Sequence, residues 1–456
     1  MKKQAVFIYE ISTCNRRKLD GYKLYEYFTK NNYRIVNNPK LADFIILITC
    51  AYSNKHNELS LEMTKKFLEY NAELIVVGCL PNIDKENLRN IFEGKTIGTN
   101  ELEKIDDFFP KNKLKFSDLK DANSPWENVD EYESIISLKK MLKNSQTATK
   151  LQNGLSNYLE KKFLHKKSAN YHETVFNYIT AKYVKEKWNP NYSIYKDAYF
   201  IRPSWGCLSN CSYCVIKNAI GPLKSKSLDV VITEFRNGLN LKYNNFIFDA
   251  DDIGAYGIDI GTTLSELLDK ITDIPGDYKI HIRNINPVWI VKYANGLEKV
   301  IRKNKIKGIG CSIQSGNPRI LKLMQRYSDT EKIKDAFFKL FESCPDLILG
   351  TECISGFPTE TMYEFTETLD FIKEIDFSLG YIFPFSCRSG TAAEKINPKI
   401  PDNEISYRMR YARKYLKKIG YNNSFIKNYK ILLFTKDSPE FQIDNQTKIF
   451  CLSTLD

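Results

Sequence analysis

Ala198-Tyr-Phe-Ile-Arg202 leads, through Pro203 and Ser204, into Trp205-Gly-Cys207-Leu-Ser-Asn-Cys211-Ser-Tyr213-Cys214, and Val215-Ile216 follows. The apolar run reads as a strand. The cysteines after it read C-x3-C-x2-C, with an aromatic residue directly before the last. Three thiolates can hold three irons of a cubane [4Fe–4S] cluster and leave the fourth iron without a protein ligand. An open coordination position is what separates a catalytic metal site from a structural one. The competing readings are a zinc knuckle and three unrelated buried cysteines. Structural zinc takes four protein ligands, and no fourth Cys or His lies near this loop in the sequence.

A second set of cysteines is dispersed. Val6-Phe-Ile-Tyr9 reads as a first strand and is followed by Cys14 in Ile11-Ser-Thr-Cys-Asn15. Cys50 ends the run Asp43-Phe-Ile-Ile-Leu-Ile-Thr-Cys50, and Cys79 ends Leu74-Ile-Val-Val-Gly-Cys79. Short apolar runs between polar residues read as buried parallel strands, although a buried helix gives the same pattern. Helical stretches such as Leu59 to Tyr70 separate them. In an open α/β sheet the ligand crevice lies outside the carboxyl ends of the strands. Cys14, Cys50 and Cys79 are expected to converge there as a second three-thiolate site, the alternative being three core cysteines.

The loop at Cys207 resembles that of the radical SAM enzymes, whose open iron binds S-adenosylmethionine and whose cluster, once reduced, cleaves it to a 5′-deoxyadenosyl radical. That resemblance places Tyr213 near the adenine. Two three-cysteine sets in this order resemble the radical SAM methylthiotransferases, which convert C–H to C–S–CH3. The likeness covers most of positions 1 to 420. Gln314-Ser315-Gly followed by Met324-Gln-Arg326-Tyr327 is similar to the family's Gln-Ser-Gly and Met-x-Arg-x-Tyr segments. Ile354-Ser-Gly-Phe-Pro-Thr-Glu360 is similar to its Gly-Phe-Pro-Gly-Glu turn, and Pro384-Phe-Ser-Cys-Arg-Ser-Gly-Thr391 to its Tyr-Ser-x-Arg-x-Gly-Thr segment. This sequence departs from the family at three places. Arg17 stands where the family has Asn, with Asp20 retained. Thr359 replaces a glycine. Asp249-Ala-Asp-Asp-Ile-Gly-Ala-Tyr256 replaces a Gly-Gln pair before tyrosine.

The resemblance implies two [4Fe–4S] clusters, one on Cys207, Cys211 and Cys214 and one on Cys14, Cys50 and Cys79. It implies S-adenosylmethionine as cosubstrate and a low-potential electron donor. If the barrel reading is right, Arg283, Gln314 and Ser315 lie at strand ends and contact S-adenosylmethionine. The implied fold is α/β: an N-terminal open parallel sheet domain (1–105), a linker and basic helical insertion (106–195), a partial (β/α)6 radical SAM barrel (196–420) and a short tail or hairpin (421–456). Strand-like runs alternating with helical stretches from 200 to 420 point the same way. Examples are Asn245–Phe248, Lys279–Ile282, Gly308–Ile313, Leu347–Leu349 and Leu379–Ile382, with helices at Leu228–Leu241 and Thr263–Ile271.

At 456 residues with 43% apolar residues the chain exceeds one core. No signal peptide or membrane-length apolar run is evident, and eleven cysteines without a secretion signal fit a cytoplasmic protein whose thiols serve metals. Asp107 to Glu133 is acidic and contains Ser124-Pro125, which reads as linker. Ser134 to Trp188 is basic and aromatic, with Lys161-Lys162 and Lys166-Lys167, and reads either as a solvated helical insertion or as a docking element. Many relatives end in an RNA-binding β-barrel, and Tyr421 to Asp456 is too short for one. That absence favours a peptide or protein substrate. The formal charge of +12 keeps a tRNA adenosine as the alternative. A non-catalytic iron–sulfur redox or regulatory protein is the reading outside enzymology, but it needs neither two open clusters nor S-adenosylmethionine motifs.

Overall fold

The computed structural model describes residues 3–11, 14–125, 198–421, 424–426, 431–433 and 449–453. The basic stretch from Ser134 to Trp188 lies outside them.

Five strands form the N-terminal sheet: β1 (Ala5–Glu10), β2 (Arg34–Ile35), β3 (Phe44–Thr49), β4 (Glu73–Gly78) and β5 (Lys95–Gly98). Their spatial order is β2-β1-β3-β4-β5, every pair parallel. Alternate residues of each strand enter different cores. Phe7, Ile45, Leu47 and Val76 face helix α2 (Asn54–Phe67), where Met63 and Phe67 meet them. Val6, Ile8, Ile46 and Val77 face helix α1 (Asn15–Lys30) through Leu24, Tyr27 and Phe28. A sheet covered on both faces needs the near-continuous apolar strands seen in the sequence. The strand order reverses at β1 and β3, the switch point where doubly wound folds of this order bind ligands. Cys14 follows β1 and Cys50 follows β3.

The first part of the expected linker is packed instead of free. Phe109, Phe116 and Leu119 are buried on the α1 face. Tyr27 donates to Asp106 (2.8 Å), and Asp121 meets both Lys23 (2.9 Å) and Lys226 (3.0 Å).

The second sheet begins with six parallel strands in sequential order: β6 (Tyr199–Ile201), β9 (Asn245–Asp249), β10 (Lys279–Ile285), β11 (Ile306–Cys311), β12 (Ile348–Ser355) and β13 (Leu379–Pro384). The hairpin of β7 (Ser204–Trp205) and β8 (Lys224–Ser225) interrupts the sequence order. Helices between the strands start at well-formed caps. Ser227 accepts from Val230 N, while Thr263 with Glu266 and Thr361 with Glu364 form reciprocal capping boxes. Each such cap contributes roughly 0.5–2 kcal/mol. The helices pack their apolar faces on the strands. Phe235, for example, lies 4.2 Å from Phe246 and 4.9 Å from Tyr278 between ring centroids. Beyond β13 come β16 (Ile449–Ser453), parallel to it, and then β15 (Ile431–Leu433) and β14 (Ser424–Ile426), antiparallel. The expected C-terminal hairpin therefore extends the barrel sheet. The nine-stranded sheet has β6 and β14 at its two edges, so the barrel is partial.

The two units are joined by buried charge. Arg202, after β6, donates to Asp20 of α1 (2.8 Å) and to the carbonyl of Arg16. Thr99, after β5, donates to the carbonyl of Ala219.

Candidate functional site

Three strand ends deliver the dispersed cysteines. Cys14 is the N-cap of α1, its carbonyl accepting from Arg17 N (2.9 Å) and Lys18 N (3.1 Å). Cys50 leaves β3 with its backbone held on both sides by Ser60 of α2: Ser60 Oγ accepts from Cys50 N (3.2 Å) and donates to Cys50 O (2.6 Å). Cys79 leaves β4 after Gly78, whose φ is +113°. A Cβ there would sit 2.5 Å from Thr49 O, so only glycine lets β4 close on β3 at this point. Thr49 O accepts from Cys79 N (3.2 Å). Burial raises the Cys50 thiol far above its ordinary range, with Cys79 and Cys14 adding to the rise. Burial raises Cys79 to about 12, although the Arg17 cation opposes it. The three thiols therefore lie within electrostatic reach of one another. Neutral buried thiols become thiolates when a metal supplies the compensating charge.

The local loop is strapped from several sides. Gly206 has φ +77°, and a Cβ there would collide with Pro222 O. Ser212 N donates to Met324 O (3.0 Å), Ser212 Oγ to Leu323 O (2.7 Å), and Ser212 O accepts from Ala393 N (2.8 Å). Each of two cysteine sulfurs has its own charged neighbour. Arg326 Nη1 lies 3.4 Å from Cys211 Sγ and 3.5 Å from the Tyr213 hydroxyl. Asp252 Oδ2 stands 3.8 Å from Cys207 Sγ and accepts from the Trp289 indole (2.8 Å). Burial pushes Cys207 up to about 12, and the Asp252 carboxylate adds to it; burial also raises Cys214, with Cys211 next in effect.

One cavity of about 1710 Å³ runs between the two units. Cys14, Cys50, Cys79 and Cys214 all line it, as do Tyr213, Arg283 and Gln314. Gln314 adopts φ +69°, with its N–H donating to Glu352 O (2.8 Å) and its carbonyl accepting from Ile354 N (2.9 Å). Ser315 does not line the cavity. It is buried, and its hydroxyl pairs with Thr368 Oγ1 (3.2 Å) on the outer helix Met362–Ile375. A further wall comes from Arg388, whose Nη1 donates to Asn54 (2.6 Å) at the start of α2. Sequence reading gave no role to Arg16 and took Asp251 and Asp252 only as extra acids near the S-adenosylmethionine pocket that could retune substrate choice. Only the oddity of the Asp249–Asp252 run flagged the two acids.

The donor chemistry fits two iron–sulfur clusters. The six cysteines are all free thiols, partly or fully buried, in two groups of three. No group of three or more His, Cys, Asp or Glu among the described residues converges tightly enough for a single metal ion. A cubane spreads its ligands over separate irons, so donors to a cluster stand farther apart than donors to one ion.

The chain matches the model of the radical SAM superfamily over residues 201–372 and that of uncharacterized protein family UPF0004 over residues 7–97. It is 28% identical over 395 residues to a ribosomal protein uS12 methylthiotransferase, RimO, of Thermodesulfovibrio yellowstonii, covering 86% of this chain and 77% of the relative. It is 25% identical over 425 residues to a probable threonylcarbamoyladenosine tRNA methylthiotransferase of Pyrococcus horikoshii, covering 92% and 86%. Among solved structures it resembles in fold the radical S-adenosylmethionine methyltransferase TsrM of Kitasatospora setae, with cobalamin and a [4Fe–4S] cluster bound (TM-score 0.54, 11% identity, 86% of this chain and 77% of the other). The match to the radical SAM model defines a radical SAM enzyme. More narrowly, the chain belongs to the radical SAM methylthiotransferase family, whose members use S-adenosylmethionine and two [4Fe–4S] clusters.

Proposed function

We propose that Cys207, Cys211 and Cys214 hold the radical-generating cluster, that Cys14, Cys50 and Cys79 hold the auxiliary cluster, and that the enzyme methylthiolates a peptide or protein. The observation that carries this reading is that Cys14, Cys50 and Cys79 border the same cavity as Cys214 of the other group. When bound, the two clusters would supply the electron that cleaves S-adenosylmethionine to a hydrogen-abstracting radical and a resting place for the transferred sulfur, steps that protein acids and bases cannot perform. The residues supply position and enclosure. Arg326 orients Cys211. Tyr213, Arg283 and Gln314 provide a polar wall with an aromatic face for S-adenosylmethionine. Asn54 and Arg388 close one side and limit water.

The cavity lining supports the peptide reading. Acids, Glu58, Glu352 and Asp402 among them, stand in it beside a somewhat larger set of cations that includes Lys55, Arg388 and Lys399. A phosphate backbone is best met by cations alone, because each acid facing it costs affinity. A tRNA adenosine is the second reading, favoured by the formal charge of +12 and by relatives named as tRNA methylthiotransferases.

The test is to incubate the reconstituted enzyme with extracted protein and with unmodified tRNA, and to follow the mass gain of SCH3 for H. Modified protein with weak, salt-insensitive tRNA binding supports the peptide reading. A methylthiolated adenosine with a steep salt slope of tRNA affinity overturns it.

A further inference from the structure

Asp251 is placed between the two cysteine loops. Its Oδ1 stands 3.0 Å from Nε of Arg16, two residues after Cys14. Its Oδ2 accepts from the backbone N–H of Gly206 (3.0 Å), the residue directly before Cys207. One carboxylate therefore touches both loops. Arg16 reaches it by crossing from α1 into the barrel, and its Nη1 donates to Asp249 Oδ1 (2.7 Å). Asp249 in turn accepts from Asn284 Nδ2 (2.7 Å) at the end of β10. The side chains are 17% (Arg16), 2% (Asp249) and 6% (Asp251) exposed, so water screens this network little. Arg202 adds the reciprocal tie from barrel to α1 described above.

We propose that Asp251 is a positioning residue that fixes the separation and orientation of the two cluster-binding loops. This rests on the assignment of the two cysteine groups to two clusters. Sulfur transfer needs the two reacting centres at a set distance, and misplacement of about 1 Å in such geometry costs on the order of a hundredfold in rate. A rigid sheet-to-barrel contact beside each first cysteine is where such a distance is set. Asp251→Ala removes both contacts yet leaves Arg16 paired with Asp249, so no buried cation is stranded.

The experiment uses the full chain reconstituted with iron and sulfide and reduced by a low-potential chemical donor. Iron is counted, and the magnetic interaction between the two reduced clusters is read by electron paramagnetic resonance. In Asp251→Ala and in Arg16→Gln, about eight irons should remain, while the inter-cluster interaction weakens or broadens. Methylthiolated product formed per S-adenosylmethionine cleaved should fall on the order of tenfold or more. Asp251→Glu, which keeps the charge, should recover part of both signals. Arg16→Gln leaves the Gly206 bond in place and carries the test if Asp251→Ala fails to fold. A wild-type-like interaction and product ratio in both Asp251→Ala and Arg16→Gln overturns the proposal. Wild-type protein that binds fewer than two clusters overturns the cluster assignment beneath it.

Discussion

The two cysteine groups reach the same cavity by opposite routes. Cys207, Cys211 and Cys214 sit on one loop, and fixing a short loop is a local cost. Cys14, Cys50 and Cys79 come from three strand ends and meet only when the five-stranded sheet is assembled. Closing long loops costs more chain entropy than closing a short one, and here the sheet core offsets it. The first site should therefore tolerate damage to the N-terminal sheet, while the second should not.

The largest effect should come from Asp20→Ala. Asp20 accepts from Arg202 (2.8 Å) and lies 3.1 Å from Arg17, all three buried. Removing it leaves two buried cations without their shared carboxylate, a loss of about 3–5 kcal/mol. Chemical denaturation should show it, with the N-terminal site losing iron before the loop at Cys207. A loss under about 1 kcal/mol would mean water relieves the charges.

Gly78→Ala should follow. The positive φ and the clash with Thr49 O predict a loss of roughly 1–3 kcal/mol. Iron should be lost from the N-terminal group alone, with S-adenosylmethionine cleavage retained. Equal loss from both groups would erase the contrast between the sites.

A smaller effect concerns acid. Burial lowers His281, on β10, and His56, on α2, from 6.5 to about 4. The unfolded chain takes up protons below 6.5 that the native chain refuses until about 4. Stability should thus be full above 6.5 and decline as pH falls toward 4, by on the order of 1 kcal/mol or more for each histidine. His281→Gln should flatten the barrel's share of the slope between pH 7 and 5 in apoprotein denaturation. An unchanged slope would show that His281 protonates freely in the native state.

Much of this contrast was legible in the residues. The strand expectations at Asn245–Phe248, Lys279–Ile282 and Leu379–Ile382 fall inside β9, β10 and β13, and the helix expected at Leu228–Leu241 spans Leu228–Asn240. Apolar runs and their caps are local signals, so they survive the step to structure. Three features were not legible. The acidity of the stretch after Asp107 suggested linker, yet Phe109, Phe116 and Leu119 find a face of the sheet that no local period announces. Ser315 was expected in the cavity, but the left-handed backbone at Gln314 turns the chain and sends its hydroxyl to Thr368. The Asp251 bridge joins residues far apart in sequence, and only the packed interface brings them together.

The most direct test of the central claim compares two triple variants by iron content and product. With Cys207, Cys211 and Cys214 changed to Ala, iron should fall from about eight to about four per chain and S-adenosylmethionine cleavage should vanish. With Cys14, Cys50 and Cys79 changed to Ala, iron should fall by the same amount, cleavage should persist and methylthiolation should be lost. Iron unchanged in either variant, or methylthiolated product from the second, would contradict the account.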